Sequence, residues 1–174
     1  MDPSRPLAPD PYAVLPQPSF DLASNDVADG RPLPGPCTGP GGNASPHLGW
    51  EGFPASTSSF LVTCFDPDAP GDGFWHWAIA NLPASTTSLP RGAGSSDGAL
   101  LPAGALQARN DAGTLGYTGA APPRGDRPHR YFFAVHALDV ERLDVAPTAG
   151  AAEMQAVALP HTIARAVIVP TFQR

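Results

Sequence analysis

Proline and glycine fall between the short apolar runs of this chain and rarely within them, a spacing that restricts it to short strands joined by long, stiff connections. The runs "SSFLVTCF" (Ser58 to Phe65), "FWHWAIANL" (Phe74 to Leu82) and "RYFFAVHAL" (Arg130 to Leu138) are rich in the aromatic and β-branched residues that suit a pleated surface. The 23 prolines and 18 glycines approach a quarter of 174 residues, a fraction at which disorder has to be weighed, but their placement between β-type runs argues for turns. Halving a chain of this length would leave two marginal cores, so residues 1–174 are expected to form a single domain.

Residues 1–19 read as an irregular N-terminal arm docked through Tyr12, Val14 and Leu15, and "SFDLASNDV" as an early strand. A Gly/Pro-rich loop is expected over 30–49, and turns with a short strand over 83–116. Ala151 to Leu159 are good helix formers, Pro160 ends or restarts that helix with His161 at the restart, and Ala166 to Val169 read as a strand. The fold class expected is mainly β with one late helical segment.

Composition removes several functions. No apolar run is long enough to cross a bilayer, and the acidic chain offers no basic amphipathic helix, so stable membrane insertion is not expected. "MDPSRPLAPDPY" lacks the layout of a secretory signal, which gives a cytoplasmic expectation. Net charge is −6 and all ten basic residues are scattered arginines, without the positive stripe that nucleic acid requires. The absence of lysine excludes Schiff-base chemistry. Cys37 and Cys64 show no zinc-type spacing and are expected as reduced thiols.

The candidate chemistry lies in two stretches, "DPDAPGDGFWHW" (Asp66 to Trp77) and "GYTGAAPPRGDRPHRYFF" (Gly116 to Phe133). Strand alternation places Trp75, Trp77 and Ile79 on one face, and Phe74, His76, Ala78 and Ala80 on the other. In the second stretch His129 shares a face with Tyr131, Phe133 and Val135. A lone histidine beside apolar residues is more often structural than functional, and Asp66-Pro67-Asp68 alone reads as a turn whose carboxylates accept backbone N–H groups. Joint occurrence of the two stretches shifts the weight toward a site.

Together they resemble the two signatures of the phosphatidylethanolamine-binding protein (PEBP) family, in its bacterial Raf kinase inhibitor-like branch. The first is carried by Asp66 to Pro70 with His76 and Trp77, the second by Gly119, Pro122, Pro123, Gly125 and His129 to Tyr131. "NASPHLGW", "NLP", "LPAGALQARNDAG", "ALD" and "HTIARA" extend the similarity over roughly residues 20 to 172. The resemblance implies a Greek-key fold, a large antiparallel sheet packed on a smaller one. It also implies an anion pocket that accepts phosphate-like groups, including a phospholipid headgroup, and a cis Ala69–Pro70 bond. By the same resemblance Asp66, His76, His129 and Tyr131 are its central polar residues, with Asp68 adjacent and Gly119, Ala121 and Pro123 in the wall. Trp75 is expected as an apolar side of the pocket. Bacterial relatives are often dimers, so a homodimer is a further implication, and any protein partner is unknown. Ala120, Ala121 and Phe172 depart from common family residues (proline, glycine and tyrosine respectively).

A carboxylate beside an anion is repulsive unless it acts through a donor. If Asp66 accepts a hydrogen bond from one imidazole nitrogen, it raises that histidine's pKa and leaves the opposite N–H for the ligand. Tyr131 and free N–H groups of the Gly119 loop are expected as further donors. No cofactor is expected. The alternatives weighed are a metal-dependent hydrolase on Asp66, Asp68, His76 and His129, which lacks any HExxH or GxSxG motif, and a signalling or kinase-inhibiting interaction module. Arg124-Gly125-Asp126 and Asn43-Ala44-Ser45 spell an adhesion and a glycosylation motif and are read as chance, and His47 and His136 as structural or surface residues.

Overall fold

A computed structural model describes residues 6–14 and 17–174. Ten strands occur among them: β1 (Asp21–Ala23), β2 (Leu48–Glu51), β3 (Ser59–Asp66), β4 (Phe74–Pro83), β5 (Ser88–Leu89), β6 (Leu106–Gln107), β7 (His129–Arg130), β8 (Phe132–Leu138), β9 (Thr162–Ile168) and β10 (Thr171–Phe172). The one α-helix, α1, runs Ala151–Ala158. The large sheet has the order β6-β4-β3-β8-β9, a smaller one β1-β2-β5, and β10 pairs β7, all antiparallel. This is the mainly β arrangement with a late helix that the sequence predicts.

Both faces of the large sheet are covered, which is why β3 and β8 are buried almost throughout. On one face Val62, Cys64, Trp77, Ile79, Phe133 and Val135 pack against Leu48, Trp50 and Leu89 of the small sheet. On the other, Leu61, Ala78, Ala80 and Leu138 receive Ala151, Met154 and Ala158 of α1. Small residues on β4 let the helix lie close to the sheet.

The arm docks through Tyr12, whose hydroxyl is 3.2 Å from Thr63 Oγ1 and whose ring stacks under the Arg165 guanidinium at 4.3 Å. Val14 is instead 81% exposed, and Leu15 lies outside the described residues. His161 does not restart a helix; Leu159–His161 is a 3-10 turn that leads straight into β9, because Pro160 supplies no N–H to continue α1. The Ala69–Pro70 bond is trans, not cis as the resemblance implied. The reversal there is made by Asp66 Oδ1, which accepts the N–H groups of Asp68 (2.8 Å) and Ala69 (3.1 Å).

One irregularity positions the site. Cys64 pairs with Trp77 but Phe65 pairs with Trp75, so His76 is an extra residue on β4. The bulge reverses the alternation. Trp77 enters the inter-sheet core, while Trp75 turns to the opposite face and packs at 4.5 Å on Phe65. The expectation that Trp75 and Trp77 share a face is thereby corrected.

A candidate anion-binding pocket

At the edge of the inter-sheet core a cavity of about 350 Å³ opens between the ends of β3 and β4, β7 and the loop Thr118 to Pro123. Asp66, His76, Gly119, Ala121, Pro123, His129 and Tyr131, seven of the nine candidate residues, line it. The other two do not. Trp75 lies across the bulge, in a separate groove with Tyr12 and Phe65. Asp68 is fully buried behind the wall, where Arg130 grips it at 2.8 and 3.0 Å and Arg127 at 3.0 Å. Burial opposes ionisation of Asp68, but Arg130 and the N–H groups of Ala8 and Arg130 outweigh it and hold the carboxyl below its usual range. It clamps the arm and the strand β7 together.

Asp66 is both turn-former and histidine partner. While Oδ1 makes the turn, Oδ2 accepts the His129 Nδ1–H at 2.7 Å. His129 Nε2 lies 3.5 Å from Asp126 Oδ2, so a second carboxylate faces the nitrogen expected to point at a ligand. Burial lowers the pKa of His129, but the hydrogen bonds and charges of Asp66 and then Asp126 exceed that effect and raise it.

His76 is arranged differently. Its Nδ1–H donates to the Thr118 carbonyl at 2.7 Å; a carbonyl only accepts, so this nitrogen carries the proton and Nε2 of the neutral ring keeps its lone pair. Burial lowers its pKa against the opposing pull of that carbonyl and of Asp66. The ring sits 5.2 Å from that of Tyr131. The Tyr131 hydroxyl is buried and has no hydrogen-bond partner in the protein, and its pKa is raised by burial and by Asp66.

The loop wall is fixed by packing. A Cβ on Gly119 would stand 2.3 Å from the Thr38 carbonyl carbon, so only glycine fits there. The Gly119 N–H, expected to be free, is taken by Asn43 Oδ1 at 2.7 Å. Asn43 itself holds φ +57°, a conformation asparagine tolerates better than most residues. Phe74, Pro70, Ala69 and Pro122 complete a largely apolar lining. Among the described residues no group of three His, Cys, Asp or Glu side chains is arranged to hold a metal ion. No described helix is long and apolar enough to cross a membrane.

Sequence reasoning missed Thr118 and Asp126. Thr118 acts through its backbone carbonyl, which no residue type announces. Asp126 is three residues before His129, and that spacing was a usable signal.

Comparison with known proteins agrees with the signatures. The family model described as "Phosphatidylethanolamine-binding protein" matches residues 23–173. The chain is 50% identical over 157 residues to the UPF0098 protein YbhB of Escherichia coli K12, covering 87% of this chain and 98% of that one. It is 44% identical over 163 residues to UPF0098 protein YbcL of the same organism, covering 89% and 88%. The crystal structure of E. coli YbcL, described as a new member of the mammalian PEBP family, superposes with a TM-score of 0.87 at 42% identity, covering 90% of this chain and 99% of that one.

Proposed function

The chain belongs to the phosphatidylethanolamine-binding protein family, and on that premise we propose that its cavity binds a small anionic ligand bearing a phosphoryl group, a phospholipid headgroup or a phosphorylated group on another molecule. The Tyr131 hydroxyl carries the reading. A buried phenol without a partner forfeits about 1–3 kcal/mol, a loss that a ligand oxygen entering the cavity would recover. His129, held protonated more readily by Asp66 and Asp126, adds positive charge behind that donor. The apolar wall of Phe74, Pro70 and Pro122 suits the organic part of such a ligand, and its prolines keep the ordering entropy of binding low.

Family membership supports a binding role, and the lining adds no serine, cysteine or lysine nucleophile. A cytoplasmic location belongs to the same proposal, supported by two buried free thiols, Cys37 and Cys64, and cell fractionation tests it. Mass spectrometry of what copurifies with wild-type protein and with His129→Ala tests the ligand. A phosphate-bearing molecule retained by the first and lost from the second is expected, with circular dichroism confirming that the variant folds. Equal recovery from both would overturn the assignment.

A further inference from the structure

The helix α1 spans 8 residues, about 12 Å, and covers Leu61, Ala78, Ala80 and Leu138 on the sheet face it lies against. Outside that patch the same face turns polar. Thr63 of β3, His136 of β8 and Arg165 of β9 meet there, His136 and Arg165 being direct partners in the strand register. Tyr12 of the N-terminal arm lies over them. We infer that residues 8–12 are an acid-released strap: neutral His136 holds Tyr12 against the sheet, and a proton taken up by that ring frees the strap and uncovers the aromatic surface of Phe65, Trp75 and Phe132. Pro11, Tyr12 and Val14 wall a groove of about 210 Å³ with Phe65 and Trp75, and Tyr12 meets Phe132 edge-on at 6.3 Å. The groove shares no lining residue with the anion cavity, so this device stands apart from the anion reading.

The cluster is built around one lone pair. Arg165 Nε–H donates to His136 Nδ1 at 3.1 Å, so the neutral ring carries its proton on Nε2 and gives it to Thr63 Oγ1 at 3.2 Å. Thr63 Oγ1 in turn meets the Tyr12 hydroxyl at 3.2 Å, while the Tyr12 ring packs edge-on to His136 at 5.5 Å and beneath the Arg165 guanidinium at 4.3 Å. A proton on Nδ1 would set two N–H groups and two positive charges against each other, in a place where water screens little. The strap is the part that yields. Among the described residues it pairs with no strand, and its other anchor is Ala8, whose N–H donates to Asp68 Oδ1 at 3.1 Å and whose carbonyl accepts an Arg130 Nη2–H at 2.6 Å.

The charged groups facing Tyr12 and His136 are Arg165 of β9 and Asp10 of the strap. Burial pushes the Tyr12 phenol up to about 12 and the Cys64 thiol of β3 well above its ordinary value, so both stay neutral in acid; α1 brings the uncharged Gln155 and Leu159 follows it. Arg130 keeps the Asp68 carboxylate charged to lower pH than usual, which leaves the trigger with His136. Burial and then the Arg165 charge hold the docked His136 pKa well below the ordinary value, and lifting Tyr12 off admits water and returns the ring toward about 6.5. Docking is therefore fully favoured above about pH 6.5, and the ratio of docked to released strap falls by up to about tenfold for each pH unit below it.

Nitrogen-15 relaxation of the full chain, followed from neutral pH into acid beside far-ultraviolet circular dichroism, tests this. The expected result is that residues 8–14 gain fast motion and the Trp75 indole N–H signal shifts in one transition, while the circular dichroism of the sheet is unchanged. The His136 imidazole signals should titrate in that same transition. His136→Gln, which offers an acceptor and a donor but takes up no proton, should keep the strap ordered over the whole range, and Tyr12→Ala should show a mobile strap at every pH. A strap that stays ordered while His136 titrates, or until the sheet itself unfolds, would overturn the inference. So would release of the strap in His136→Gln with the wild-type pH profile, which would move the trigger to the carboxylates of Asp10 or Asp68. Should His136→Gln fail to fold, the wild-type comparison of imidazole titration with strap motion decides alone: coincident midpoints support the latch and separate midpoints contradict it.

Discussion

Asp66 Oδ2 accepts the His129 Nδ1–H at 2.7 Å while Asp66 Oδ1 closes the turn at Asp68 and Ala69, so one carboxylate joins two stretches 63 residues apart. Asp66→Asn removes the charge while nearly preserving shape. The expected outcome is a His129 pKa that falls, since burial is then opposed by Asp126 alone among the two carboxylates, and a stability loss of about 1–3 kcal/mol from the weakened buried pair. NMR titration of His129 and urea unfolding measure the two effects.

Tyr131→Phe separates stability from binding. The hydroxyl has no partner in the protein, so its removal should leave the melting temperature unchanged or raise it. Phosphate affinity should fall about tenfold, the worth of one hydrogen bond of roughly 1.4 kcal/mol. Calorimetry on both proteins checks this, and a variant that is destabilised yet binds normally would contradict it.

Gly119→Ala drives a Cβ to within 2.3 Å of the Thr38 carbonyl carbon, and both partners are backbone. A loss of about 1–3 kcal/mol is expected, as for overpacking elsewhere. Ligand affinity should fall with it, because the displaced loop is the cavity wall. Denaturant melts and titration of the same samples report both.

Three buried histidines give stability a two-sided pH dependence. His136 accepts the Arg165 Nε–H at 3.1 Å, and burial followed by the Arg165 charge holds its pKa well below the ordinary value; burial also lowers His76. In the unfolded chain these rings protonate near pH 6.5, so their contribution is complete above that value and is lost as pH falls below it. His129 runs the other way: its raised pKa contributes fully below about 6.5 and the gain is lost as pH rises through its folded value. Melting temperature should therefore climb from pH 5 to 6.5, and His136→Gln should flatten that limb. An unchanged limb in the variant would remove His136 from the explanation.

The sequence made the fold legible wherever period and punctuation coincide. β3 and β8 read as strands from their β-branched and aromatic residues, and α1 from its alanine-rich run before Pro160. The site was legible where it depends on side-chain type, so Asp66, His76, His129 and Tyr131 were identifiable and do line one cavity. It was not legible where backbone geometry intervenes. Trp75 was misplaced because the extra residue at His76 shifts the register, and nothing in "FWHW" marks a bulge. Asp68 looked like a pocket residue by adjacency to Asp66, yet Arg127 and Arg130 draw it into the interior. Asn43 and Asp126, set aside within chance motifs, hold the Gly119 N–H and face His129.

The central claim is that the cavity beside Tyr131 is where an anion binds. Titrating inorganic phosphate into nitrogen-15-labelled protein at pH 6.5, followed by two-dimensional NMR, tests it most directly. Saturable shifts confined to His76, Thr118 to Ala121, His129 and Tyr131 are predicted; shifts that fail to saturate, or that cluster elsewhere on the surface, would contradict it.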